Sequence, residues 1–91
     1  MPAESDIETQ RKRLLWRATH RGIKEMDILV GGYAMRHLAA MDGAELAVFA
    51  QLLELPDQDL LRWATGQEEV PDTLRSPMLS AILAFRPEAT A

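Results

Sequence analysis

The chain has 91 residues and a mass of 10.2 kDa, with 47% hydrophobic and 26% charged residues, so a single domain over 1–91 is expected and not a multidomain enzyme. Its net charge of −4 and pI near 5.0 argue against a nucleic-acid backbone as main partner, because such domains commonly have a pI above about 9. Cysteine is absent, which excludes disulfide frameworks, thiolate catalysis and cysteine-ligated zinc or iron–sulfur sites. No apolar run approaches the roughly 18 residues of a membrane span, and the start MPAESDIETQ has neither an apolar signal core nor an arginine-rich presequence. A soluble cytoplasmic protein is the expectation, or a matrix protein if the source is eukaryotic. The charge is uneven. Residues 11–24 hold Arg11, Lys12, Arg13, Arg17, Arg21 and Lys24 with no acid, whereas residues 42–72 hold eight acids against Arg62 alone.

The apolar periodicity is helical throughout. Ser5 followed by Glu8 has capping-box spacing and predicts a first helix from there to Thr19 or His20, with Ile7, Leu14, Leu15 and Ala18 inward. Gly22 supplies the left-handed residue that commonly closes a helix. A second helix is predicted over Ile23 to Leu38, with Met26, Val30, Tyr33 and His37 on one face. Ile28 and Met35 project nearly opposite, and Gly31-Gly32 sits mid-helix although each glycine costs about 1 kcal/mol relative to alanine. Such a helix is either central, packed closely at the glycines, or partly exposed to a partner.

Asp42 and Glu45 repeat the capping spacing ahead of the stripe Leu46, Phe49, Ala50 and Leu53, a third helix stopped by Pro56. Asp57 is expected to cap a short fourth helix with Leu60, Leu61, Trp63 and Ala64, ending at Gly66. Ser76-Pro77 reads as N-cap and first residue of a fifth helix, with Leu79, Ile82, Leu83 and Phe85 inward before Pro87. Trp16, Trp63 and Tyr33 read as core or rim aromatics. Residues 1–5 and 87–91 are expected to be flexible. The expected fold is an all-α, compact bundle of about five short helices in a single domain.

Catalytic constellations are missing. His20 and His37 lie on different predicted helices without a carboxylate at ligand spacing, so no metal site is expected. Ser5, Ser76 and Ser80 stand in no nucleophile-elbow sequence, and no glycine-rich phosphate loop is present. The candidate for function is the tight helix junction Arg21-Gly22-Ile23-Lys24-Glu25-Met26-Asp27. Glu25 and Asp27 fall in a first helical turn, where the dipole favours negative charge, and Arg21 follows a helix end, where positive charge is favoured. Gly22 keeps the surface low, so a partner backbone can approach while pairing with Arg21 and Glu25. Gly22 as helix terminator and the charges as dipole complements account for much of the same pattern.

These residues carry a resemblance. Leu14-Leu15-Trp16-Arg17 followed by Arg21 to Leu29 resembles the R-G-x-x-E signature region of the succinate dehydrogenase assembly factors, also called FAD assembly factors. The likeness continues through Leu52-Leu53-Glu54, Asp57 to Leu61 and Arg62-Trp63-Ala64-Thr65-Gly66, covering about residues 14–85. Members often carry another basic residue where His20 stands, and Gly31-Gly32 is richer in glycine than usual. The resemblance implies a five-helix protein that binds the flavoprotein subunit of succinate dehydrogenase, or of fumarate reductase, and promotes covalent attachment of FAD to a histidine there. It also implies a chain that is not an enzyme, holds no FAD stably, and contacts its partner through Arg21, Gly22 and Glu25, with Asp27, Arg17 and His20 as neighbours. A monomer is expected, without nucleic acid or membrane insertion. The alternative reading is a small helical regulator that docks the basic first helix on nucleic acid or anionic membrane.

Overall fold

The computed structural model describes residues 3–86, with side chains from Ile7 onward. Five α-helices follow one another: α1 (Ala3–Thr19), α2 (Lys24–His37), α3 (Gly43–Leu52), α4 (Asp57–Ala64) and α5 (Pro77–Ala84). Two short 3-10 turns, Leu38–Ala40 and Asp72–Leu74, join α2 to α3 and α4 to α5, and the described residues contain no strand. The fold is all-α. The flexibility expected at the ends falls partly on residues 1–2 and 87–91, which lie outside the described range, while residues 3–5 form the first turn of α1.

Helix boundaries follow local chemistry, with two corrections. α1 begins at Ala3, so Ser5 lies inside its first turn and is not the N-cap. Asp57 is the first residue of α4 behind Pro56 and makes no cap hydrogen bond, because its carboxylate is engaged elsewhere. The other two caps form. Asp42 accepts from the Glu45 N–H at 2.9 Å while Glu45 accepts from the Asp42 N–H at 3.0 Å, and the Ser76 hydroxyl accepts from the Leu79 N–H at 3.1 Å. Each cap contributes about 1 kcal/mol.

The core gathers Leu14 and Ala18 from α1, Met26, Leu29, Val30 and Ala34 from α2, Leu46 and Phe49 from α3, Leu60 from α4, and Leu79 and Ile82 from α5. Two residues expected inward are exposed, and one aromatic read as core or rim is as well. Leu15 is exposed on α1, His37 is exposed and lies against Tyr33, and Trp16 lies out in solvent at 62% exposure. Tyr33 sits at the core edge, 6.4 Å from the Phe49 ring and edge-on to Phe85; desolvation by burial, helped by the Glu45 charge, raises its phenol pKa above the usual value.

α2 is central and also partly open. It packs on α1, α4 and α5, yet Ile28 and Met35 stay exposed on its outer side. The glycine pair explains the close packing. A Cβ on Gly31 would stand 3.0 Å from the Ala18 carbonyl oxygen and 3.0 Å from Thr19 Cγ2, and one on Gly32 would stand 2.6 Å from Phe85 Cε2. Gly31→Ala is therefore expected to destabilise the fold by about 1 to 2 kcal/mol in urea unfolding, although alanine is the better helix former, because backbone of α1 must move. A neutral or stabilising result would show that α1 gives way freely.

Candidate functional site

The α1–α2 junction is built by one arginine and one glycine. α1 stops at Thr19, and Gly22 turns the chain with φ of +102°, a conformation L side chains rarely adopt. Ile23 then opens α2 without a side-chain cap, its carbonyl accepting from Met26 and Asp27 at 2.9 Å each. Asp27 reaches back, and its carboxylate accepts from the Arg21 N–H at 2.6 Å, which folds the junction over the start of α2.

The Arg21 side chain turns inward. Its Nε donates to Asp57 at 2.5 Å, Nη1 to the Leu53 carbonyl at 3.0 Å and Nη2 to the Leu55 carbonyl at 2.8 Å. Leu53 and Leu55 follow the end of α3, where carbonyls lack intrahelical partners and the dipole favours a cation, so one planar fork satisfies both and reaches α4 as well. The Arg21 side chain is only 9% exposed and that of Asp57 20%. This arginine is thus an internal clamp between the junction and the α3–α4 turn in the free chain.

The outward groups are Gly22, Glu25, Trp16, Arg17 and His20. A Cβ on Gly22 would meet nothing within 4 Å, so its outer side is open surface. Glu25 is exposed in the first turn of α2 and has no ion-pair or hydrogen-bond partner among the described residues. Arg17 pairs with Glu54 at 2.6 Å in an exposed bridge of the kind that contributes about 0 to 1 kcal/mol. His20 stacks on Trp16 with ring centroids 4.4 Å apart, its Nδ1 lying 2.9 Å from the Trp16 carbonyl oxygen. The structure therefore brings Arg21, Gly22, Glu25 and Asp27 into one junction, and sets Arg17 on the last turn of α1 and His20 just after it, beside the junction.

Sequence reasoning missed Asp57 and the Leu53 and Leu55 carbonyls as partners of Arg21, because the pairs are 32 to 36 residues apart and no local spacing reports them. It also missed an apolar groove of about 290 Å³ that opens beside Glu25 between α2, α4 and the end of α5. A larger cavity of about 440 Å³ lies between the α4–α5 connection and α5, near Trp63 and Leu79; there Arg75 is paired with Glu69 and Asp72. Among the described residues no group of three or more histidines or acids could hold a metal ion, and no helix is long and apolar enough to cross a membrane. The basic block is only partly an open surface: Arg11 donates to the Met41 carbonyl at 2.8 Å, Arg17 bridges to Glu54, and the Arg21 side chain is turned inward onto Asp57.

The class this defines is a small all-α protein whose polar site is a surface helix junction held from within. The family described as "Flavinator of succinate dehydrogenase" matches residues 12–86, and the chain belongs to that family. It is 39% identical over 77 residues to a protein of Acetobacter pasteurianus named FAD assembly factor SdhE, covering 85% of this chain and 71% of that one. Two proteins named mitochondrial succinate dehydrogenase assembly factor 2 are also similar: one of Dictyostelium discoideum, 32% identical over 86% of this chain, and one of Yarrowia lipolytica, 40% identical over 71%. The chain spans 55% and 45% of those two relatives. No solved structure matches it.

Proposed function

We propose that this chain binds the flavoprotein subunit of a succinate dehydrogenase, or of a related fumarate reductase, and promotes covalent attachment of FAD to it. The observation that carries the reading is the α1–α2 junction of a family member: an open Gly22 beside a Glu25 with no partner among the described residues, both held in place by the Arg21 clamp. A carboxylate offered this way seeks a cation or N–H donor on another protein, and a glycine surface lets that protein's backbone come close.

The chain acts by holding geometry, without supplying reacting groups. Forming a bond between flavin and histidine needs both atoms at near-attack distance, and fixing them can remove of order 7 kcal/mol from the barrier. A small protein that binds only the flavoprotein arrangement in which they align shifts the population toward it. FAD itself belongs to the partner in this reading. The start of α2, where a dinucleotide phosphate would otherwise be drawn, carries Glu25 and Asp27, which repel it. The chain would work as a monomer in the bacterial cytoplasm or mitochondrial matrix.

Co-expression with the cognate flavoprotein tests the reading. Covalent flavin, seen as fluorescence that survives denaturing electrophoresis, is expected to rise with this chain present. Glu25→Ala is expected to weaken binding by roughly 30-fold or more while the protein stays folded, since truncating a central charged contact costs about 2 kcal/mol or more. Wild-type flavinylation by a folded Glu25→Ala protein would remove Glu25 from the contact.

A further inference from the structure

The groove beside Glu25 has a shape and a charge that go further than the junction itself. Its walls are Ile28 and Leu29 of α2, Leu61 and Ala64 of α4, and Phe85 beyond α5, with Glu25 at the rim. At about 290 Å³ it falls just below the roughly 300 to 1,000 Å³ range of small-molecule pockets, which is too little for a dinucleotide and suits one large apolar side chain. The other polar groups at its rim are turned onto backbone. Thr65 Oγ1 donates to the Leu61 carbonyl at 2.8 Å, and Arg86 Nη1 donates to the carbonyls of Leu83 and Phe85 at 3.2 and 2.7 Å. Arg86 keeps its positive charge, so Glu25 is the one anionic group in the lining and the group there that pairs with an incoming cation.

We infer that the groove seats one apolar side chain of the flavoprotein, next to a lysine or arginine that pairs with Glu25. This rests on the function proposed above and specifies the partner's contact element. Three observations support it together. The groove is continuous with the junction through Glu25, the carboxylate sets the sign of the neighbouring charge, and Ile28 stays exposed at 44% on a helix otherwise packed on three sides. An apolar anchor in a pocket next to a charge that becomes desolvated is the usual arrangement of an interface hot spot.

Titration calorimetry of the chain against the flavoprotein without covalent flavin tests this. Ile28→Ser, which strips a wall, and Ala64→Leu, which fills the space, are each expected to raise Kd at least about tenfold with melting temperature near wild type. Should Ala64→Leu fail to fold, Thr65→Trp at the exposed rim blocks the same mouth. Val48→Ser, an exposed change on α3, is expected to bind as wild type. A photo-crosslinker at position 28 is expected to label a flavoprotein segment with an apolar residue adjoining lysine or arginine. If wild type and Val48→Ser bind, Glu25→Ala weakens binding, and the groove variants bind like wild type, the groove inference is overturned and the flavoprotein reading stands. If wild type does not bind the flavoprotein at all, both fall. A crosslink to an acidic segment, or sedimentation showing that Ile28→Ser only dissociates a dimer of this chain, overturns the inference in favour of another occupant.

Discussion

Arg21→Ala is expected to lower the unfolding free energy by about 3 kcal/mol, because it strands a partly buried Asp57 and two carbonyls at the end of α3 together. For a domain of this size, with total stability of roughly 5 to 14 kcal/mol, that is a large share and lowers Tm by about 12 to 24 °C. Urea unfolding measures it as a lower midpoint at unchanged slope. Arg21→Lys should recover only part of the loss, since an ammonium group cannot hold three acceptors in one plane. The double variant Arg21→Ala, Asp57→Ala should lose less than the two single losses added, by about 1 kcal/mol or more, because the second change removes the stranded carboxylate. Additive losses would mean that the clamp does not couple the junction to α4. Flavinylation is expected to fall with Arg21→Ala even at temperatures where the protein is folded, through a loosened junction and not a lost intermolecular contact.

Gly22 separates strain from contact. At φ of +102° any L residue is strained by about 1 to 3 kcal/mol, whatever its size, since an added Cβ meets nothing inside the fold. Gly22→Ala and Gly22→Arg are therefore expected to lose similar stability, lowering Tm by roughly 4 to 24 °C. Their effects on flavinylation are expected to diverge: Gly22→Ala keeps most of the gain and Gly22→Arg abolishes it, because only the long side chain blocks a backbone approaching the junction. Covalent flavin fluorescence at a temperature where both variants are folded measures the difference. Equal flavinylation by the two proteins would show that no partner comes close at Gly22.

The legible parts of the fold were those fixed by neighbours in sequence. Asp42 with Glu45, Ser76 with Pro77, and the positive φ at Gly22 are settled within three or four residues, and each appears where its pattern places it. The amphipathic stripes also placed most of the core. The errors share one cause. Local pattern makes caps of Ser5 and Asp57 and core residues of Leu15 and His37, but a longer α1, the Arg21 clamp and the packing around α2 set their environments. For the candidate site, the sequence located the segment and the tertiary structure sorted its residues into inward and outward.

Local pattern suffices for the all-α class, for the five helices of the described residues, for a glycine-turned junction carrying both charges, and for a composition without thiol chemistry. That Arg21 faces α3 and α4 while Glu25 faces out beside an apolar groove follows from the packing of the helices. Helix starts and stops depend on free N–H and C=O groups within one turn, which local residues satisfy. The partner of a long charged side chain and the walls of a groove depend on which distant helices pack together, and that is set by burial of the whole core at once.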